Sequence, residues 1–175
     1  HYSMPDEKYL DLIDLVAVST ASDIVSLSGE NRVLTYFCIE KLNKNPSHGL
    51  KHLIQLTGLE RKLDVSDIVF YIGPRINAAG RMDDAKQAVQ LMIADESPHH
   101  ADQAGELQNL NKDRQEADRD ITAHALEILN ANENNESLKS TVVFNTGWHK
   151  GVIGIVASRL TEHFYRPTVV LTEHE

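Results

Sequence analysis

The stretch GWHKGVIGIVASRL, from Gly147 to Leu160, constrains this chain more than any other, because glycines at 151 and 154 open a helix straight after a strand. The apolar run TVVF at 141–144 reads as a buried strand, and PTVVLT at 167–172 reads as a second. Strand, helix and strand in that order make a crossover unit. It closes as a parallel pair with its ligand-facing loop at the carboxyl edge. Gly151 and Gly154 permit close backbone approach there, and the first amides of the helix sit at the positive end of its dipole. With His149 and Arg159 beside those amides, the turn has the chemistry to hold a phosphate.

Charge limits how such a ligand can be held. Seventeen Lys plus Arg stand against 26 Asp plus Glu, a net charge of −9 over 175 residues. That field repels nucleic acid, so a polyanion must be bound locally, by a few arginines and amides or through a divalent metal. The 41% hydrophobic and 25% charged content is that of an ordinary globular chain with one domain or two small ones. The single cysteine, Cys38, lies in the apolar helical run VLTYFCIEKL, which rules out a disulfide within one chain and a cysteine-based zinc site. A reducing, cytoplasmic setting is expected. No apolar run is long enough to span a membrane and the amino-terminal residues lack the order of a secretory signal, so the expectation is a soluble protein.

Helical spacing of Leu10, Ile13, Val16, Ala17 and Thr20 predicts a first helix over about residues 6–22, with Asp6 available as its cap. Ser28, Gly29 and Glu30 open a second through about residue 43, whose Val33, Leu34, Phe37, Cys38, Ile39 and Leu42 are expected to form a broad buried face. NKNPSH is a linker, and a third helix over about residues 49–57 stops at Gly58. From residue 64 the pattern gives a short helix, a loop punctuated by Gly73, Pro74 and Gly80, and another helix over about 83–94. Ser97 and Pro98 then start a helix that runs to about residue 130, roughly 50 Å at about 1.5 Å per residue. Its stripe of Leu107, Leu110, Ala117, Ile121 and Ile128 suits a strut between two modules, and the polar NANENNES ends it. Tyr36, Phe37, Phe70 and Tyr71 could stack on bases, but their helical spacing assigns them to the core. His124 is assigned a structural role for the same reason. A parallel sheet needs more than two strands and the opening helix needs something to pack on, so the chain is expected to be part of a longer protein.

Three segments in order, ASDIVSLSGENR (21–32), GPRINAAGRMDDA (73–85) and GWHKGVIGIVASRLTEHFYRPTVVL (147–171), resemble the single-strand-specific exonucleases of the DHH phosphoesterase family. NLNKDRQEADRDI at 109–121 is similar as well. The resemblance implies a helix-rich α/β fold with a long connecting helix and a partial parallel sheet. By it, residues 1–28 are the carboxyl-terminal edge of the catalytic DHH domain, 29–64 are connecting helices, and 65–175 are the DHH-associated, substrate-binding domain, incomplete at its end. The family's other acidic and histidine motifs would lie upstream, and its glycine-rich stretch is missing too. His99-His100 in SPHHAD is not the Asp-His-His motif, since Pro98 precedes it and the motif would have to come before Asp23.

Residue by residue, the resemblance implies that Asp23 is a ligand to Mn2+ or Mg2+ in a two-metal site, a role suited to its hard oxygens. Read alone, Asp23 is a solvated helix end. Val18 to Ser22 replaces the family's more common glycine-threonine-x-alanine lead. Arg75, Asn77 and Arg81 are the expected contacts to phosphates of the strand, where the plain alternative is arginines paired with Asp83 or Asp84. His149, Gly151, Gly154 and Arg159 complete the substrate set, and His149 is the one candidate for a catalytic part. A loop histidine over a packed indole and an ion-paired Arg159 are the alternatives. Lys150 stands where many relatives have proline. The implied activity is metal-dependent 5′ to 3′ hydrolysis of single-stranded DNA in repair and recombination, by a monomer that has no membrane contact and a single-strand-binding protein as candidate partner. The 175-residue chain itself is expected to be inactive. Two rival readings remain: an oligonucleotide or nanoRNA phosphodiesterase of the same superfamily, and a catalytically silent scaffold related to the nuclease.

Overall fold

The computed structural model describes residues 10–133 and 135–173. Asp6, the expected cap, lies outside the described residues. Two compact units divide at Asn111 and Lys112.

In the first unit, α1 (Ile13–Ser22) buries Asp14, Ala17, Val18 and Ala21, one face at helical spacing. Helix α2 (Gly29–Lys44) buries Thr35, Cys38 and Leu42. The broad buried face expected for α2 is narrower, because Val33, Leu34 and Phe37 are exposed. Helix α1 packs along one stripe of it, and Asn43 near its end exchanges hydrogen bonds with the Leu63 backbone at 3.0 and 2.7 Å. Inside the contact with α1, Asp14 is fully buried, with Lys41 Nζ at 3.1 Å and the Ser47 amide donating to its Oδ2 at 2.7 Å. The Cys38 thiol donates to the Ile13 carbonyl, and burial pushes its pKa up, which leaves it a poor nucleophile.

Helix α3 (His48–Gln55) ends near Gly58, whose φ of +69° fits the expected glycine stop. Gly49 lets α3 press on α6 (Lys86–Ile93): a Cβ there would lie 2.0 Å from the Leu91 carbonyl oxygen. A capping box of Asp64 and Asp67 starts α4 (Val65–Asp67), and Arg61 grips the Asp67 carboxylate with two bonds of 2.7 and 2.8 Å. That guanidinium holds the Asp67 carboxyl below the usual range against the opposing effect of burial. A π-helical stretch, Ile68–Ile72, leads into α5 (Gly73–Met82), so that the chain is helical without a break from Val65 to Met82.

GPRINAAGR is therefore a helix and not the expected loop. Pro74 directly follows the π-helical turn, whose wider spacing accommodates a residue that has no N–H to donate and a ring that would clash with the carbonyl four residues back. Tyr36, Phe37, Phe70 and Tyr71 are all exposed, which overturns their assignment to the core.

Helix α7 (His100–Asn130) is 31 residues, about 46 Å at 1.5 Å per residue, close to the expected strut. Ala104 and Leu107 join the first unit's core with Leu50, Leu53, Ile68, Ile72 and Leu91. Further along, Ile121, Ala125 and Leu129 are buried at steps of four, and Ile128, expected in the stripe, is exposed. His100 opens the helix fully buried; burial first, then His52 and His48, push its pKa below the ordinary 6.5.

In the second unit β1 (Thr141–Phe144) and β2 (Thr168–Leu171) pair in parallel, Thr141 opposite Thr168 through Phe144 opposite Leu171, joined by α8 (Ile153–Phe164). This is the expected crossover unit. Its core is Val143, Val152, Val156, Leu160, Val170 and Trp148. Arg166 fixes the start of β1 by donating to Thr141 Oγ1 and to Asn135. Among the described residues no helix is long and apolar enough to cross a membrane.

Candidate nucleic-acid interface

Asp23 is exposed at the carboxyl end of α1, where its amide donates to the Ser19 carbonyl. Ile24 follows with φ +54°, a left-handed conformation that a β-branched residue rarely takes, and it is 81% exposed. A chain reversal right after an exposed carboxylate presents that carboxylate to one side. Its oxygens suit Mg2+ or Mn2+, but among the described residues no three His, Cys, Asp or Glu side chains converge as ligands to one ion. Among the described residues Asp23 thus stands apart from any ready-made cluster of metal ligands.

Helix α5 lies directly on this end of α1. A Cβ on Gly73 would meet Ser22 Oγ at 2.5 Å and Ser22 Cβ at 3.1 Å, so glycine sets the distance between the residue before Asp23 and the first turn of α5. The steps of 3.6 residues then put Pro74, Asn77 and Arg81 on one face of α5, with Phe70 in the π-helical turn ahead of it. Phe70, Asn77 and Arg81 are exposed. Arg75 points the other way. It is 8% exposed, and it donates to the Tyr71 carbonyl and to Gln108 of α7. Burial pulls its pKa down. The sequence placed Arg75, Asn77 and Arg81 together on a loop; the helix separates Arg75 from the other two.

In the second unit the expected phosphate turn is arranged differently. His149 Nδ1 accepts from the Gly151 amide at 3.1 Å, and the His149 carbonyl accepts from Val152 and Ile153 at 3.0 and 3.3 Å. Three of the amides expected to face a ligand, those of Gly151, Val152 and Ile153, are thus taken up by His149 in the turn ahead of α8. Gly154 is exposed and its Cβ position is open. Trp148 is buried and donates through Nε1 to His124, which is exposed on α7 and not within its buried stripe.

Arg159 lies elsewhere. With Arg114, Gln115, Asp118 and Arg119 of α7 it lines a polar cleft of about 360 Å³. Its NH2 donates to Asp118 Oδ2 at 2.7 Å, and Asp118 is buried. Three guanidiniums and one carboxylate thus line the cleft. Arg114, Gln115 and Arg119 went unmarked in the sequence, although Arg114 with Asp118 and Gln115 with Arg119 are spaced by four on one helix.

No protein-family model matches the chain. Single-stranded-DNA-specific exonuclease RecJ of Bacillus subtilis (strain 168) is 37% identical over 169 residues, 96% of this chain and 21% of that protein. RecJ of Escherichia coli (strain K12) is 35% identical over 163 residues, 91% of this chain and 28% of that protein. A crystal structure of RecJ from Thermus thermophilus in complex with Mg2+ superposes with a TM-score of 0.80 at 32% identity, over 93% of this chain and 25% of that one. In sequence and fold the chain matches a segment of RecJ. A further structure, exonuclease RecJ bound to manganese, gives a TM-score of 0.81 over 93% of this chain and 40% of that one. The chain spans 21 to 28% of the length of these two curated RecJ proteins. The matching part is helix-rich α/β, as the resemblance implied.

Proposed function

We propose that this chain is the strand-binding part of a 5′ to 3′ single-stranded-DNA exonuclease of repair and recombination, and that it adds one ligand to the metal centre of the intact protein. In this reading residues 1–28 belong to the edge of the catalytic domain, 29–64 connect, and 65–175 bind substrate. The observation that carries it is the Gly73–Ser22 contact, which ties the helix bearing Asn77 and Arg81 to the end of the helix bearing Asp23. A carboxylate for metal and donors for phosphate are then held in fixed relation.

Mg2+ or Mn2+ in the intact protein would supply an activated water and stabilise charge developing on the phosphoryl group. Asp23 helps hold the ion. Arg81 and Asn77 hold phosphates of the strand, Phe70 offers a face to a base, and Arg75 positions α5 through Tyr71 and Gln108. In the second unit Arg159, with Arg114 and Arg119, holds a second stretch of backbone, while His149 shapes the turn that carries Gly151 and Gly154. With a single carboxylate for the ion, the chain binds a strand without cleaving it. It works in the cytoplasm as a monomer, with single-strand-binding protein as partner.

Fluorescence anisotropy of a 5′-phosphorylated single-stranded oligonucleotide, titrated with the chain and with Arg81→Ala, tests the reading. Salt-sensitive binding that weakens at least about fivefold in Arg81→Ala is expected, since a charge-assisted contact contributes roughly 1–3 kcal/mol. Equal binding by both proteins removes α5 from the interface, and cleavage by the purified chain removes the claim that it lacks a complete metal centre.

A further inference from the structure

SPHHAD, which the exonuclease reading leaves unused, places a buried histidine where charge is least welcome. His100 is 1% exposed, and neither ring nitrogen has a hydrogen-bond partner. Its ring stands 5.9 Å from that of His52 and 6.5 Å from that of His48, centroid to centroid. His48 and His52 are four apart on α3 and so share a face. His100 is also the first residue of α7, at the positive end of a 31-residue helix. Glu96, in the turn ahead of α7, is the one carboxylate that acts on the ring, and it opposes the two histidines. A metal does not account for the two orphaned nitrogens, because the three rings do not converge as ligands to one ion.

We infer that His48, His52 and His100 form a proton-operated latch that holds the first turns of α7 against α3 at neutral pH and releases them in mild acid. Three effects disfavour a proton on His100 in the closed form: burial, two neighbouring imidazoles and the helix dipole. In the open form the His100 ring is solvated and takes up a proton at its ordinary value. The sign follows from linkage. A histidine held below its ordinary 6.5 contributes stability that is fully present above 6.5 and is lost as pH falls through the lower, closed-state value. Release has a route to the candidate interface, since Gln108, two turns along α7, bonds Arg75 of α5. The latch itself stands whether or not α5 binds DNA.

Hydrogen exchange on the full chain, corrected for the intrinsic pH dependence, reads the latch directly. Protection of amides in the first two turns of α7 is expected to fall at least about tenfold between about pH 7.5 and 5.5, more steeply than in the rest of the helix. His100→Leu, which fills the site with an apolar side chain, should flatten that fall. His48→Gln, a change at an exposed position on the rim of the cluster that folding tolerates, should make it shallower by removing one of the two imidazoles that oppose a proton on His100. The ring resonances of His100 should stay neutral through pH 6.5 and change together with protection. A His100 that titrates near 6.5 with α7 still protected overturns the latch, and so does a pH profile unchanged in His48→Gln.

Discussion

At the scale of the residue, Ile24 is the position where backbone geometry is least comfortable. An L-residue in the left-handed region costs about 1–2 kcal/mol, and Ile24, being 81% exposed, recovers little of that by packing. Glycine would remove the strain and return roughly 0.5–1 kcal/mol of the gain as unfolded-chain entropy. Ile24→Gly should therefore stabilise the chain by about 0.5–1 kcal/mol in denaturant unfolding, while Ile24→Ala, which keeps the strain, should change little. A loss of stability in Ile24→Gly would show that the isoleucine side chain has contacts that its exposure conceals. Asp23 itself was legible in the sequence only through its motif. Nothing in spacing or composition separates it from a solvated helix end, and its exposed position agrees with both readings.

At the scale of the element, the contact between α1 and α5 depends on one missing methyl group. Gly73→Ala would place a Cβ 2.5 Å from Ser22 Oγ, 3.1 Å from Ser22 Cβ and 3.2 Å from the Ile68 carbonyl oxygen. The helices must separate or bend, at about 1–3 kcal/mol. Because two of the three obstructing atoms belong to Ser22, the double variant Ser22→Gly with Gly73→Ala should recover most of the loss. Ser22 Oγ is buried and has no partner, so removing it forfeits no hydrogen bond. A cycle without coupling would mean that the Ile68 carbonyl sets the spacing. The same contact explains why this segment misled the sequence reading. Glycine and proline at 73 and 74 usually punctuate loops, and here one serves close packing and the other a helix start, neither of which spacing alone reveals. By contrast the strands and α8 were legible, because two short β-branched runs around an amphipathic helix admit few arrangements. The exposure of Phe37 and Phe70 could not be read, since apolar periodicity marks a face without naming what covers it.

At the scale of the whole molecule, a net charge of −9 opposes the reading that the chain binds DNA, and salt dependence resolves the conflict. Long-range repulsion should keep the affinity low. What attraction there is must come from the arginines of local sites, chiefly Arg114, Arg119 and Arg159 in the cleft and Arg81 on α5. Each phosphate neutralised on a single strand contributes about −0.7 to the slope of log K against log salt. Arg159 is already bonded to Asp118 and Arg114 is also engaged within the protein, so the cleft should engage about one phosphate, through Arg119, and contribute about −0.7 to the slope. Arg119→Ala should make that slope shallower by about 0.7 and leave the fold intact, because Arg119 is exposed. If Arg119→Ala leaves the slope alone while Arg81→Ala reduces it, binding resides on α5 and the cleft is only an ion-paired seam between α7 and α8. A slope of zero would mean that the two sites together cannot overcome the charge of the chain that carries them.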